Sequence, residues 1–70
     1  MEHVIVKYPK ERPVYIDGKQ NGKTNEILRI GTGIHVFDLG EPKDYTPDEI
    51  EITVADTSSI EPLEIEFKEK

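Results

Sequence analysis

Thr46-Pro47-Asp48-Glu49-Ile50-Glu51-Ile52-Thr53-Val54 carries two local signals that cannot both be obeyed. Its first four residues are a helix start, with a threonine cap, proline at the first position and glutamate at the third. Its last residues alternate, with Ile50, Ile52 and Val54 set against Glu49, Glu51 and Thr53. A helix would turn Ile50 and Ile52 to opposite sides, whereas a strand puts all three apolar residues on one face. Ile52-Thr53-Val54 is β-branched throughout, which favours the strand. The segment is read as a strand, and that choice makes the chain all-β.

The same period of two recurs on both sides of it. Leu63, Ile65 and Phe67 alternate with Glu64, Glu66 and Lys68, and Val4, Val6 and Tyr8 alternate with Ile5 and Lys7 before Pro9. Shorter strands are expected at Val14 to Ile16, Ile27 to Ile30 and Ile34 to Leu39. Nine isoleucines and five valines against three leucines and one alanine reverse the usage of a helical protein. Asp17-Gly18 and Asn21-Gly22 tolerate the positive φ of tight turns and mark a hairpin-like reversal, and Gly31-Thr32-Gly33 turns the chain into the strand at Ile34. Gly40 to Asp44 is a loop. Strands this close, with no helix between them, imply antiparallel pairing, and one-faced alternation implies two packed sheets. Residues 1–70 are therefore expected to form one small two-sheet antiparallel β-sandwich of about six strands.

Seventy residues allow a modest core and exclude a nucleotide-binding α/β fold or a barrel enzyme. Without cysteine there is no disulfide framework, thiolate metal site or thiol nucleophile. A net charge of -6 argues against nucleic acid and anionic lipid as partners. The longest apolar run is Val4-Ile5-Val6, so no direct membrane insertion is expected.

Candidate chemistry is sparse. His3 stands near the terminus and is read as a flexible end residue. His35 lies in register with Phe37 and Leu39 and is read as half-buried and bonded to backbone, with no partner identifiable from spacing. Glu49 with Glu51 and Glu64 with Glu66 are paired carboxylates on the polar phase, read as charged surface with Lys7 and Lys68 to relieve repulsion. Asp38, Glu41 and Asp44 recur at three-residue intervals and are the weak candidates for a calcium site, since hard cations take such oxygen ligands; no metal or other cofactor is expected. The glycines precede no helix and form no phosphate cradle. If His35, Phe37 and Leu39 face the core, Ile34 and Val36 face outward, either as a contact surface or under a loop or the first strand.

The run Pro9-Lys10-Glu11-Arg12-Pro13-Val14-Tyr15-Ile16-Asp17-Gly18-Lys19, followed by Gly22-Lys23-Thr24, resembles the PEGA domain, a small β-sandwich module. That family has Pro-Glu-Gly-Ala, one residue, then a Val-Tyr-Ile-Asp-Gly strand and turn, then Gly-Lys-Thr-Pro. The strand and turn match residue for residue. The likeness continues through Leu28, Ile30, Gly33, His35, Phe37, Leu39 and Asp44-Tyr45 to two alternating strands. Lys10, Glu11 and Arg12 replace Glu, Gly and Ala, and Asn25 replaces the second proline. Ile-Asp-Gly turns also occur in transthyretin-like sandwiches attached to carboxypeptidases and outer-membrane receptors. The resemblance implies an accessory, non-catalytic module, commonly repeated in envelope-associated proteins or appended to enzymes and kinases. It assigns Asp17, Gly18, Gly22 and Gly33 to structural turns, with Asp17 bonding the turn backbone.

The expected function is thus a non-enzymatic interaction or spacer module with a protein partner, monomeric because Pro9, Pro13 and Pro62 blunt the strand edges. The alternative is a module for carbohydrate or calcium, using an exposed Tyr15 or Tyr45 or the acidic loop. As part of a larger parent it would be extracytoplasmic or envelope-associated, and as a complete protein cytoplasmic.

Overall fold

Alternating apolar residues pair into nine strands in the computed structural model of the protein, which describes residues 1–58 and 60–70. In chain order they are β1 Glu2–Lys7, β2 Pro13–Ile16, β3 Lys19–Lys23, β4 Ile27–Ile30, β5 Gly33–Asp38, β6 Tyr45–Thr46, β7 Ile50–Val54, β8 Leu63–Glu66 and β9 Lys68–Glu69. The described residues contain no helix. One sheet has the order β4-β1-β8, a second β3-β2-β5-β7, and a two-stranded ribbon joins β6 to β9.

The two larger sheets share one core. Val4, Val6, Leu28, Ile30 and Ile65 come from the first, Val14, Ile16, Phe37 and Val54 from the second, and Tyr8, Leu39, Tyr45 and Phe67 close the end. Each inward set lies at every second position, as alternation demands. The helix-start signal at Thr46-Pro47 loses: Tyr45–Thr46 forms β6, Ile50–Val54 forms β7, and Val54 is buried with Ile50 and Ile52 packed at the rim of the core.

Three expectations need correction. The strands number nine in three sheets among the described residues, because β3 and β9 have no apolar residues and β6 is only two residues long; backbone pairing with a neighbour defines them, as in Ile16↔Lys19 and Tyr45↔Glu69. Pairing is not wholly antiparallel, since β1 and β8 run parallel from Val4↔Leu63 to Lys7↔Glu66. The chain after β7 returns to the start of β1, where Glu2 accepts hydrogen bonds from Thr57 N and Oγ1 at 2.9 and 2.7 Å, and so enters β8 from that end. His3 is no flexible end: it sits in β1, opposite Arg29, with its amide donating to Thr57 Oγ1 at 2.6 Å.

The Asp17-Gly18 dipeptide makes the two-residue turn from β2 to β3, with φ of 54° and 83°. Both central residues are left-handed, as the hairpin turn that matches strand twist requires. Gly22 matters differently. Its φ is 85°, and a Cβ built there would lie 2.3 Å from the buried Leu28 Cδ2. Gly22→Ala is expected to lower stability by about 2 kcal/mol, combining left-handed strain with overpacking. Gly31→Ala, where a Cβ meets open space, should stay within about 0.5 kcal/mol. Urea unfolding of the two variants checks the contrast.

Candidate functional site

His35 is placed by β5, on the inward face with Phe37, but near the end of the strand where the core thins. Its side chain is 17% exposed. Nδ1 lies 2.6 Å from Asp17 Oδ2, and Nε2 lies 2.7 Å from the Gly31 carbonyl oxygen. A carboxylate and a carbonyl have only lone pairs to offer, so each ring nitrogen must donate its own proton. Clasped between the β2–β3 turn and the chain joining β4 to β5, the ring satisfies both acceptors at once only as an imidazolium. Asp17 is locked from its other side, because Oδ1 accepts Val36 N at 3.0 Å and Asp17 N donates to Val36 O at 2.8 Å.

An Asp–His pair is the orienting half of many hydrolytic sites, where the second ring nitrogen takes a proton from a nucleophile. Here that nitrogen is already donating to Gly31. The geometry is that of a fastener, with no base facing outward. His35 thus matches the half-buried, backbone-bonded reading, while its carboxylate partner, eighteen positions away, went unseen. Asp17 was expected to bond its own turn, and its side chain bonds the neighbouring strand instead.

The titration directions follow from these contacts. The hydrogen bond to Asp17, then that to Gly31, holds the His35 pKa above its ordinary value, and the same bond from His35, then Val36 N, holds Asp17 below the usual carboxylate range. Glu2 is lowered to about 2, first by Thr32 Oγ1 at 2.6 Å and then by Thr57. A raised histidine stabilises fully below its unfolded value near 6.5, and that contribution disappears as pH rises through the folded pKa. Depressed carboxylates stabilise above their unfolded values near 4, and the gain is lost as pH falls through the folded ones. Thermal midpoints are therefore expected to peak between about pH 4.5 and 6.5 and to decline on both sides. His35→Gln should flatten the alkaline decline and reduce the acid one by the share Asp17 carries, leaving that of Glu2, which differential scanning calorimetry across pH will show.

The acidic loop is organised around a cation that the chain supplies itself. Asp44 Oδ1 lies 2.7 Å from Arg12 Nη1, while Arg12 Nη2 donates to Leu39 O at 3.1 Å and Pro42 O at 3.0 Å, with Gly40 O at 3.5 Å. The hydrogen bond from Arg12 holds the Asp44 carboxyl below its ordinary value. Asp38 instead accepts the Gly40 amide at 2.8 Å, and Glu41 is exposed. The three acidic residues do not converge, and among the described residues no group of three metal-ligating side chains is placed to hold an ion.

Tyr45 is fully buried, and Tyr15 is half-buried with its ring against Gly40, so the expected exposed tyrosine platform is overturned for Tyr45. The carboxylate pairs do lie outward, with Glu51, Glu64 and Glu66 exposed and Lys7 Nζ 3.3 Å from Glu64. Gly33 opens β5 with φ 137°. Ile34 is 67% exposed on the outer face and Val36 half-buried beside it.

Asn25 and Thr24 also have definite roles. Asn25, at φ 64°, brackets Tyr8, donating Nδ2 to its carbonyl at 2.9 Å and accepting its amide at 3.3 Å, while Asn25 N donates to Val6 O at 2.7 Å. A proline could supply neither the N–H nor the left-handed φ. The buried Thr24 donates Oγ1 to Lys10 O at 2.8 Å and accepts Arg12 N at 3.0 Å, which fixes the turn carrying Arg12. Compared with known protein families, curated proteins and solved structures, the chain finds no match in any of the three.

Proposed function

We propose that this chain is a non-catalytic accessory domain of the PEGA type, a protein-interaction or spacer module within a larger envelope-associated protein. The observation that carries the reading is the His35 ring, whose two nitrogens are both occupied by fixed acceptors. The polar side chains that bond across the fold spend their capacity on backbone: Thr24, Asn25, Arg12 and Asp17 each hold a turn or loop in place. Such an arrangement rigidifies a small sandwich and, among the described residues, supports a reading without an activated nucleophile.

The test is turnover of chromogenic carboxylic ester, phosphate ester and glycoside substrates by the purified chain and by His35→Gln. Both proteins are expected to match the buffer rate. Hydrolysis by the native chain that disappears in His35→Gln would overturn the proposal.

A further inference from the structure

We propose that the cleft between the edge strands β3 and β4 binds a small carboxylate ligand. This inference goes beyond an interaction or spacer role and stands whether or not the domain also holds a protein partner. The cleft measures about 480 Å³, within the range of about 300 to 1,000 Å³ typical of small-molecule sites. Lys19, Gln20 and Asn21 line it from the second sheet, and Arg29 and Gly31 from the first sheet and the chain just after it. The buried Ile16 and Ile30 form an apolar floor.

Its electrostatics run against those of the protein. The chain carries a net charge of -6, and Lys7, Lys10, Arg12 and Lys23 each hold a carboxylate within 4 Å. Lys19, Arg29, Lys43, Lys68 and Lys70 hold none among the described residues, and of these five only Lys19 and Arg29 line the cleft. They belong to different sheets and meet at the same cleft. The one carboxylate lining it, Asp17, is occupied by His35 and by Val36 N. The cleft thus gathers two cations without a carboxylate partner, while its own carboxylate is already engaged. A guanidinium engages a carboxylate through two parallel hydrogen bonds, an ammonium adds a point charge, and the Gln20 and Asn21 amides offer partners for hydroxyl or peptide groups. A carboxylate on a polar body the size of a sugar or dipeptide fits both the charge and the volume. A uronic sugar and the carboxyl end of a peptide share this chemistry.

The experiment is a nitrogen-edited amide titration of the full chain near pH 6, using glucuronate, N-acetyl-alanyl-alanine, glucose and sodium chloride as separate probes. Saturable shifts at Lys19, Gln20, Arg29 and Gly31 with Kd on the order of 1 mM are expected from at least one carboxylate. Glucuronate alone would identify a saccharide site, the dipeptide alone a peptide-terminus site, and both a general carboxylate site. Arg29→Gln and Lys19→Gln, on exposed positions, should keep the rest of the spectrum and weaken binding at least about tenfold. Shifts that fail to saturate with either carboxylate, equal responses to chloride or glucose, or affinity unchanged in both variants would overturn the proposal. The hydrolysis assay reports on catalysis and this titration on binding, so the two readings fail separately.

Discussion

Tyr45→Ala is expected to leave little folded protein at 37 °C. The ring is fully buried, with Phe67 edge-on at 5.4 Å and Tyr8 edge-on at 6.4 Å, and the Arg12 guanidinium lies over it at 5.6 Å. Its hydroxyl accepts Leu39 N and donates to Gly40 O, both at 3.1 Å, inside the core's closed end. Truncating a buried aromatic side chain costs about 4 kcal/mol, from lost burial and the cavity left behind. In a chain of seventy residues a single core supplies roughly 3 to 5 kcal/mol, so most of the margin goes. Tyr45→Phe keeps the ring contacts and strands Leu39 N without a partner, for about 1 to 2 kcal/mol. Near-ultraviolet circular dichroism with urea unfolding separates the two. Equal midpoints for both variants would show that the ring contributes nothing beyond its hydroxyl.

Arg12→Ala is expected to be the second most damaging change, although arginine is a surface residue by habit. Its side chain is only 13% exposed. It ties β2's entry to the loop after β5 through Leu39, Gly40, Pro42 and Asp44, and it covers the Tyr45 ring. Removing it takes the guanidinium donor from Leu39 O, Pro42 O and Asp44 Oδ1, while Gly40 O keeps the Tyr45 hydroxyl. Unsatisfied carbonyls and lost packing together cost about 3 kcal/mol. Arg12→Lys restores the charge but not the planar fork that reaches several acceptors at once, so it should recover less than half the loss. Full recovery by lysine would mean that charge alone, and not the geometry of the donors, holds the loop.

What could be read from the chain alone follows the physics of burial. The inward sets of β1, β5, β7 and β8 were visible because alternating apolar residues have one energetically sensible orientation, and Val4, Val6, Phe37, Val54, Ile65 and Phe67 all lie in the core. Lys19-Gln20-Asn21-Gly22-Lys23 carried no such mark, since all five residues of β3 are exposed and the strand exists through backbone pairing with β2. Parallel pairing of β1 with β8 depends on where a distant return of the chain lands, which local pattern does not encode.

The same limit applies to the polar residues. Arg12 and Asn25 carried no local mark of a role, yet each has a side chain that bonds backbone across more than a dozen positions. Asp38, Glu41 and Asp44 were legible as acidic spacing, while the guanidinium that meets Asp44 lay thirty-two residues earlier. Asp17 and His35 were each noticed, one as a turn residue and one as a strand histidine, and only the fold brings them together.

That pair bears most directly on function. The measurement is the pH titration of the His35 ring nitrogens by nitrogen NMR in the intact chain. Protonated signals at both Nδ1 and Nε2 at pH 6, with a midpoint above the ordinary value of about 6.5, are predicted by the clasp between Asp17 and Gly31. A ring that titrates below that value, or that shows an unprotonated Nε2 at pH 6, would leave a base free to act and contradict the non-catalytic reading.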